Sequence, residues 1–185
     1  ENSSNTISDA LENITLNLND VTTGNQTLTI TQDTSKAQTA IKDWVNAYNS
    51  LIDTFSSLTK YTAVDAGADS QSSSNGALLG DSTLRTIQTQ LKSMLSNTVS
   101  SSNYKTLAQI GITTDPSDGK LELDADKLTA ALKKDASGVG ALIVGDGKKT
   151  GITTTIGSNL TSWLSTTGII KAATDGVSKT LNKLT

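Results

Sequence analysis

Any chemistry in this chain must be carried by carboxylates, lysines and hydroxyls, because its 185 residues include no histidine and no cysteine. That removes imidazole bases, thiolate nucleophiles, disulfides and nearly every zinc site. The densest acidic stretch, residues 115–126, reads DPSDGKLELDAD. Setting Gly119 at the invariant glycine of a calcium loop puts Thr114 at the first ligand position and Ala125 at the twelfth. Both positions need carboxylates, so the match fails. The groups Asp115/Asp118 and Glu122/Asp124/Asp126 have the residue type that glycosidases and metal enzymes pair, but neither an aromatic platform nor a histidine accompanies them. They stand where a turn, a strand face and a helix cap call for polar groups. Residues 145–151, GDGKKTG, mix glycine and lysine as phosphate loops do. A P-loop would need glycine where Leu142 stands and Ser or Thr where Lys149 stands, and the dinucleotide pattern needs glycine at Thr150. Lys133-Lys134 and Lys148-Lys149 read as solvated helix ends. No catalytic, cofactor-binding or metal-ligating residue is assigned, no cofactor is expected, and the chain is not read as an enzyme.

The element that would position any functional surface is residues 35–61. Ala37, Ile41, Trp44, Tyr48, Leu51, Phe55 and Leu58 recur at spacings of four and three, with Ala40, Val45 and Ile52 widening the stripe. No Gly or Pro interrupts it, and Asp33, Thr34 or Ser35 would cap it. The spacing predicts a long helix over about 35–60, with Ile41, Trp44, Tyr48, Leu51, Phe55 and Leu58 as a packing seam. Such a helix depends on partners for its stability. The remaining helices expected are shorter and leave part of the stripe to a surface outside this stretch of chain or on a neighbouring subunit.

Hydrophobic residues make up 35% of the chain, aromatic residues 3% and charged residues 18%, with a net charge of −3. The periodic segments and small net charge point to a folded protein with a thin aliphatic core and Ser/Thr-rich loops. There is no basic patch interleaved with aromatics and no apolar run of membrane-spanning length, so neither nucleic acid nor a membrane is an expected partner. The chain opens on Glu1 rather than Met, and its last helical pattern still runs at Thr185. Both features lead to the expectation of a piece of a longer protein. Sequons at Asn2, Asn13, Asn25 and Asn159 carry little weight in so Ser/Thr-rich a chain.

In chain order, residues 3–11 are read as a turn or helix start capped by Ser8 or Asp9. Ile14, Leu16 and Leu18 alternate with polar residues, as do Leu28 and Ile30, which predicts a hairpin about a turn at 20–25. Residues 62–75 form a polar loop, the best candidate for mobility or cleavage. Leu84, Ile87, Leu91, Met94 and Leu95 predict a helix over about 80–97, capped by Asp81 or Ser82. A hairpin is expected over about 107–124 around Pro116 and Gly119. Helices follow at about 125–143 (capped by Asp124 or Asp126 and broken by Gly138 and Gly140), 151–165 with Trp163, and 169–185 with Ile170, Ala173, Val177, Leu181 and Leu184. The fold class is therefore α+β: a β-rich beginning over 1–33 and a helical domain over 34–185 with one small hairpin.

Several blocks in one order carry a resemblance: NTISDA at 5–10 leading into the 14–18 strand, IKDWVNAYNSL at 41–51, NGALLGDSTLR at 75–85, LAQIGI at 107–112 and DGKLELDADKLTAAL at 118–132, then Gly151 and Gly168-Ile169-Ile170. Together they resemble the carboxy-terminal part of the bacterial flagellar filament capping family, the hook-associated protein 2 family, of enterobacterial type. The resemblance implies a helical leg domain over 34–185, and over 1–33 the terminal strands of a β-rich head domain. It implies a ring-shaped homo-oligomer, pentamer or hexamer, at the distal tip of the filament. Its partners would be itself and flagellin, it would lie outside the cell, and the flagellar type III apparatus would export it. The ring would promote flagellin insertion and prevent its loss. Two alternatives stand beside this reading: another axial flagellar component such as flagellin or a junction protein, and an extracellular adhesin or glycan-binding module whose head domain serves cell adhesion.

Overall fold

The computed structural model describes every residue except 1, 2, 12, 13, 26, 28–31, 65, 68, 69, 97, 98, 100, 101 and 185. The chain divides into two units, Glu1–Gln32 and Asp33–Thr185. It is an α+β protein.

In the first unit, strand β1 (Thr6–Leu11) pairs antiparallel with β2 (Ile14–Asn17). Ile7 lies opposite Leu16 and Leu11 opposite Ile14, with a register irregularity between. The hairpin is closed at its open end by Leu18 N–H donating to Asn5 O at 2.8 Å, and Thr6 Oγ1 donates to Asn17 Oδ1 at 3.1 Å. This corrects the reading of 3–11 as a turn or helix start. Cross-strand pairing with Ile14–Asn17 at Thr6, Ile7 and Leu11 draws the segment into a strand and outweighs the local capping preference of Ser8 and Asp9. The expected partner strand at Leu28 and Ile30 lies outside the described residues.

The second unit begins with α1 (Ser35–Leu58). Thr34 occupies the N-cap without a side-chain cap bond, and Asp33 Oδ1 instead accepts from Ser35 N–H at 2.9 Å. The residues buried on α1 are Ile41, Val45, Tyr48, Ile52 and Phe55, again spaced four and three. Trp44, Leu51 and Leu58 are half-buried against the same core, while Ala37 and Ala40 are exposed. The buried line is therefore turned by one residue from the one through Trp44, Leu51 and Leu58. Much of the stripe is covered by this chain's own elements.

Helix α2 (Ser82–Ser96) starts at Asp81, whose Oδ1 accepts from Leu84 N–H at 2.7 Å. It buries Leu84, Ile87, Leu91, Met94 and Leu95. Residues 107–110 form a 3₁₀ turn with a Thr106–Gln109 capping box, not a strand. The hairpin proper is β3 (Ile112–Thr114) with β4 (Leu121–Leu123), Thr113 opposite Glu122. Four consecutive residues, Leu107 to Ile110, cannot all follow period two, because Leu107 and Ile110 are both buried three positions apart.

Helix α3 (Ala125–Ile143) is capped by Asp124, which accepts from Lys127 N–H. Its break falls at Asp135 (φ −159°, ψ 81°), not at Gly138 or Gly140. Asp135 leaves the helix to act as a second N-cap, its Oδ1 accepting from Gly138 N–H at 2.7 Å. Helices α4 (Ile152–Leu164) and α5 (Ile169–Leu181) complete the unit. The α3–α4 corner is sealed by two threonines: Thr153 Oγ1 donates to Ile143 O and Thr154 Oγ1 to Val144 O, each at 2.8 Å. They satisfy carbonyls that the end of α3 leaves open. Gly151 must be glycine there, since its φ is +91° and a Cβ would lie 2.2 Å from Val144 O. The core is one cluster, with Leu91, Ile110, Ile112, Leu128, Val139 and Leu142 essentially sealed from solvent.

Candidate functional site

Of the acids that draw attention in the sequence, Asp115, Asp118, Asp124 and Asp146 serve the backbone. Asp115 Oδ1 accepts from both Oγ and N–H of Ser117 at 2.7 Å, which holds its carboxyl below the usual range. Asp118 Oδ1 accepts from Lys120 N–H, and Asp124 caps α3. In the GDGKKTG loop, Asp146 Oδ1 accepts from the N–H groups of Thr150, Lys149 and Lys148, at 2.8, 2.8 and 2.9 Å. Those three donors push its carboxyl far down, in that order of weight. The loop's amides are thus already occupied by its own carboxylate. Glu122 and Asp124 share only a surface depression with Gly111, Thr113, Leu123 and Lys127. Among the described residues there is no group of His, Cys, Asp or Glu able to hold a metal ion, and no helix long and apolar enough to cross a membrane.

What the fold builds with care is a scaffold. The β3–β4 hairpin is clamped to α1 by the side chain of Asn49. Its Nδ2 donates to Leu121 O at 2.9 Å and its Oδ1 accepts from Leu121 N–H at 2.7 Å. A helix side chain thus stands in for the missing neighbour strand of β4. Lys120 Nζ, 2.7 Å from Asp53, flanks this clamp, and the Asp53 contact raises its pKa. Both side chains of that pair are solvated, so the clamp and not the ion pair does most of the holding.

A second device straps the α3 break. Asn103 Nδ2 donates to Asp135 Oδ2 at 2.7 Å, and the buried Ser102 hydroxyl donates to Gly138 O at 2.6 Å. Asn103, then the Gly138 N–H, hold the Asp135 carboxyl below its ordinary value of 3.8. A depressed folded-state pKa means that this contribution to stability is complete above pH 3.8 and is lost as pH falls through the folded value. Asp135→Asn should therefore be destabilising at neutral pH. The gap between parent and variant, read by urea unfolding, should narrow as pH falls below 3.8.

On α1, the Tyr48 hydroxyl is buried and finds no partner among the described residues, and burial pushes its pKa up. The ring of Trp44 lies 6.5 Å away, tilted at 43°. Since an unpaired buried polar group opposes folding, Tyr48→Phe should leave the unfolding midpoint unchanged or raise it by up to about 1 kcal/mol equivalent. A clear loss of stability would show that the hydroxyl has a partner.

Apolar surface also remains open on two helices. Trp44, Leu51 and Leu58 lie seven residues apart, half-buried along the flank of α1. On α5 no residue is buried, although it carries apolar residues at 170, 173, 177 and 181. Val177 is 70% exposed and Leu181 60%, with Leu164 at the end of α4 at 70%. An amphipathic helix with its apolar face uncovered marks an interaction surface. Of the residues read as the seam, Ile41, Tyr48 and Phe55 lie inside the core, and Trp44, Leu51 and Leu58 at its border. The reading of spacing alone did not pick out Asn49, Asp135, Asn103 or Ser102 as tertiary contacts, because polar residues of these types carry no local sign of a distant backbone partner.

The family described as FliD_C, flagellar hook-associated protein 2 C-terminus, matches residues 1–185. The chain is similar to flagellar hook-associated protein 2 of Salmonella typhimurium, 54% identical over 100% of this chain and 39% of the relative. It is similar to the protein of that name from Xenorhabdus nematophila, 36% identical over 100% of this chain and 41% of the relative. Among solved structures it is similar to the crystal structure of the flagellar cap protein FliD D1-D2-D3 domains from Escherichia coli. That likeness has a TM-score of 0.72 and 92% identity, over 95% of this chain and 46% of that chain. The chain thus spans less than half the length of these relatives.

Proposed function

This chain belongs to the flagellar hook-associated protein 2 C-terminus family, and from that premise we propose that it is the carboxy-terminal part of a flagellar filament cap. The observation that carries the proposal is the family match along all of residues 1–185, joined to 92% identity with a flagellar cap protein of known structure. The protein is structural and non-enzymatic. It sits at the distal tip of the filament, outside the cell, after export by the flagellar type III apparatus. Residues 34–185 are the helical leg domain, and residues 1–33 are the end of a β-rich head domain. The whole protein forms a homo-oligomeric ring, pentamer or hexamer, that promotes insertion of flagellin beneath it and prevents its loss.

In this mechanism the leg is a stiff strut that presents apolar helix faces. The α1 core line and the Asn49 clamp supply stiffness. The Trp44–Leu51–Leu58 flank and the α5 face supply contact area toward neighbouring cap subunits or flagellin. The composition is compatible with the export step, since a stretch without cysteine forms no disulfide in transit.

Deleting the gene in a flagellated host and assaying the medium tests the proposal. Monomeric flagellin should accumulate outside the cells and filaments should be missing or short, and the full-length protein should restore them. Normal filaments with no released flagellin would overturn it.

A further inference from the structure

Residues 75 and 76 form the one Asn-Gly pair in the sequence. Such pairs are chemically fragile, because glycine lacks the Cβ that would keep its backbone nitrogen away from the preceding side-chain carbonyl carbon. We propose that Asn75-Gly76 is a conformationally gated deamidation site, silent in the folded leg and reactive whenever residues 58–78 open.

The fold holds both reacting groups. Asn75 Oδ1 accepts from Thr62 N–H at 2.7 Å, and the Gly76 N–H donates to Lys60 O at 2.7 Å. Leu78 N–H, donating to Leu58 O at 2.9 Å, fixes the next turn of the same knuckle. The glycine cannot be exchanged for a safer residue: a Cβ at position 76 would lie 2.2 Å from Leu58 O. The asparagine is held by its own role, since its side-chain carbonyl closes the polar loop at Thr62. Sterics and hydrogen bonding therefore keep a labile dipeptide in place, and the same contacts shield it.

When the knuckle opens, the Gly76 nitrogen attacks Asn75 Cγ. The N–Cγ bond forms, the Cγ–Nδ2 bond breaks, and the Gly76 proton leaves with the amide nitrogen as ammonia. Water then opens the succinimide at either carbonyl, giving aspartate or isoaspartate, with no change in oxidation state. Isoaspartate places an extra methylene in the backbone between residues 75 and 76. The Thr62–Asn75 and Lys60–Gly76 bonds then can no longer both form, so the product records time spent unfolded and cannot rebuild the knuckle. This inference is independent of the filament-cap reading.

The test incubates the full chain at mildly alkaline pH, folded and in urea, and follows residue 75 by peptide mapping for amide-to-acid conversion and isoaspartate. Conversion in the folded chain should be slower by about tenfold or more, because it must pass through local opening. Thr62→Pro, which lacks the N–H that holds Asn75, should age faster than the parent in native buffer. Equal rates in folded and unfolded parent chain, no conversion at residue 75 in urea, or a folded Thr62→Pro that ages no faster would overturn the proposal.

Discussion

Leu91→Ala should lower the free energy of unfolding by about 3–5 kcal/mol, the range for a leucine truncated in a sealed core. Leu91 is 0% exposed and sits mid-way along the buried face of α2, between Ile87 and Met94. Its loss leaves a cavity that the surrounding helices cannot close without moving the single core cluster. Urea unfolding should show a lower midpoint with an unchanged slope. The informative control is Leu181→Ala. This residue is of the same type and also on a helical stripe, but it is 60% exposed. In the chain alone it should shift stability by no more than about 0.5 kcal/mol. If the two variants were equally destabilised, α5 would be packed on a covered face and the open apolar surface described above would not exist.

Asn49→Ala should be the most damaging change at a residue outside the apolar core, at about 2–3 kcal/mol. It removes two hydrogen bonds and strands the N–H and C=O of Leu121, a residue only 3% exposed. Asn49→Asp separates geometry from hydrogen bonding. The carboxylate still accepts from Leu121 N–H, but it has no donor for Leu121 O and sets negative charge against that carbonyl. It should therefore recover little of the loss, while Asn49→Gln should fail for want of reach. Amide exchange gives the site-specific readout: protection at Leu121 should drop far more than at Leu128, which lies in α3 and does not use the clamp. Equal protection at Leu121 in parent and Asn49→Ala would show that the hairpin is held by something other than Asn49.

Strong periodicity made the helices legible. The spacing of Leu84, Ile87, Leu91, Met94 and Leu95 identifies the buried face of α2 residue for residue, and Asp81 and Asp124 stand at their caps as polar residues before apolar runs do. On α1 the same logic gave a stripe wider than any one seam. Whether the line through Trp44, Leu51 and Leu58 or the line through Val45 and Ile52 faces inward is decided by what packs on it, and that is tertiary information. The error at 3–11 has the same origin. Ser8 and Asp9 look like caps until Ile14–Asn17 pairs with the residues on either side of them. The break at Asp135 does not show in the sequence, because Gly138 and Gly140 nearby are the stronger helix breakers. Its second cap becomes visible only when Asn103 arrives from 32 residues away. Asp115, Asp118 and Asp124 sit in the turn and at the cap to which their sequence positions point. The openness of α5 could not be seen, since an amphipathic pattern has the same appearance whether its partner is intramolecular or not.

As proposed, this chain is part of the cap on the distal end of a flagellar filament. Gold-labelled antibody against residues 33–185, applied to intact cells bearing filaments and viewed by electron microscopy, tests it most directly. Label is expected at the free filament end and none along the shaft. Label distributed along the filament, or confined to the cell surface away from filament ends, would contradict it.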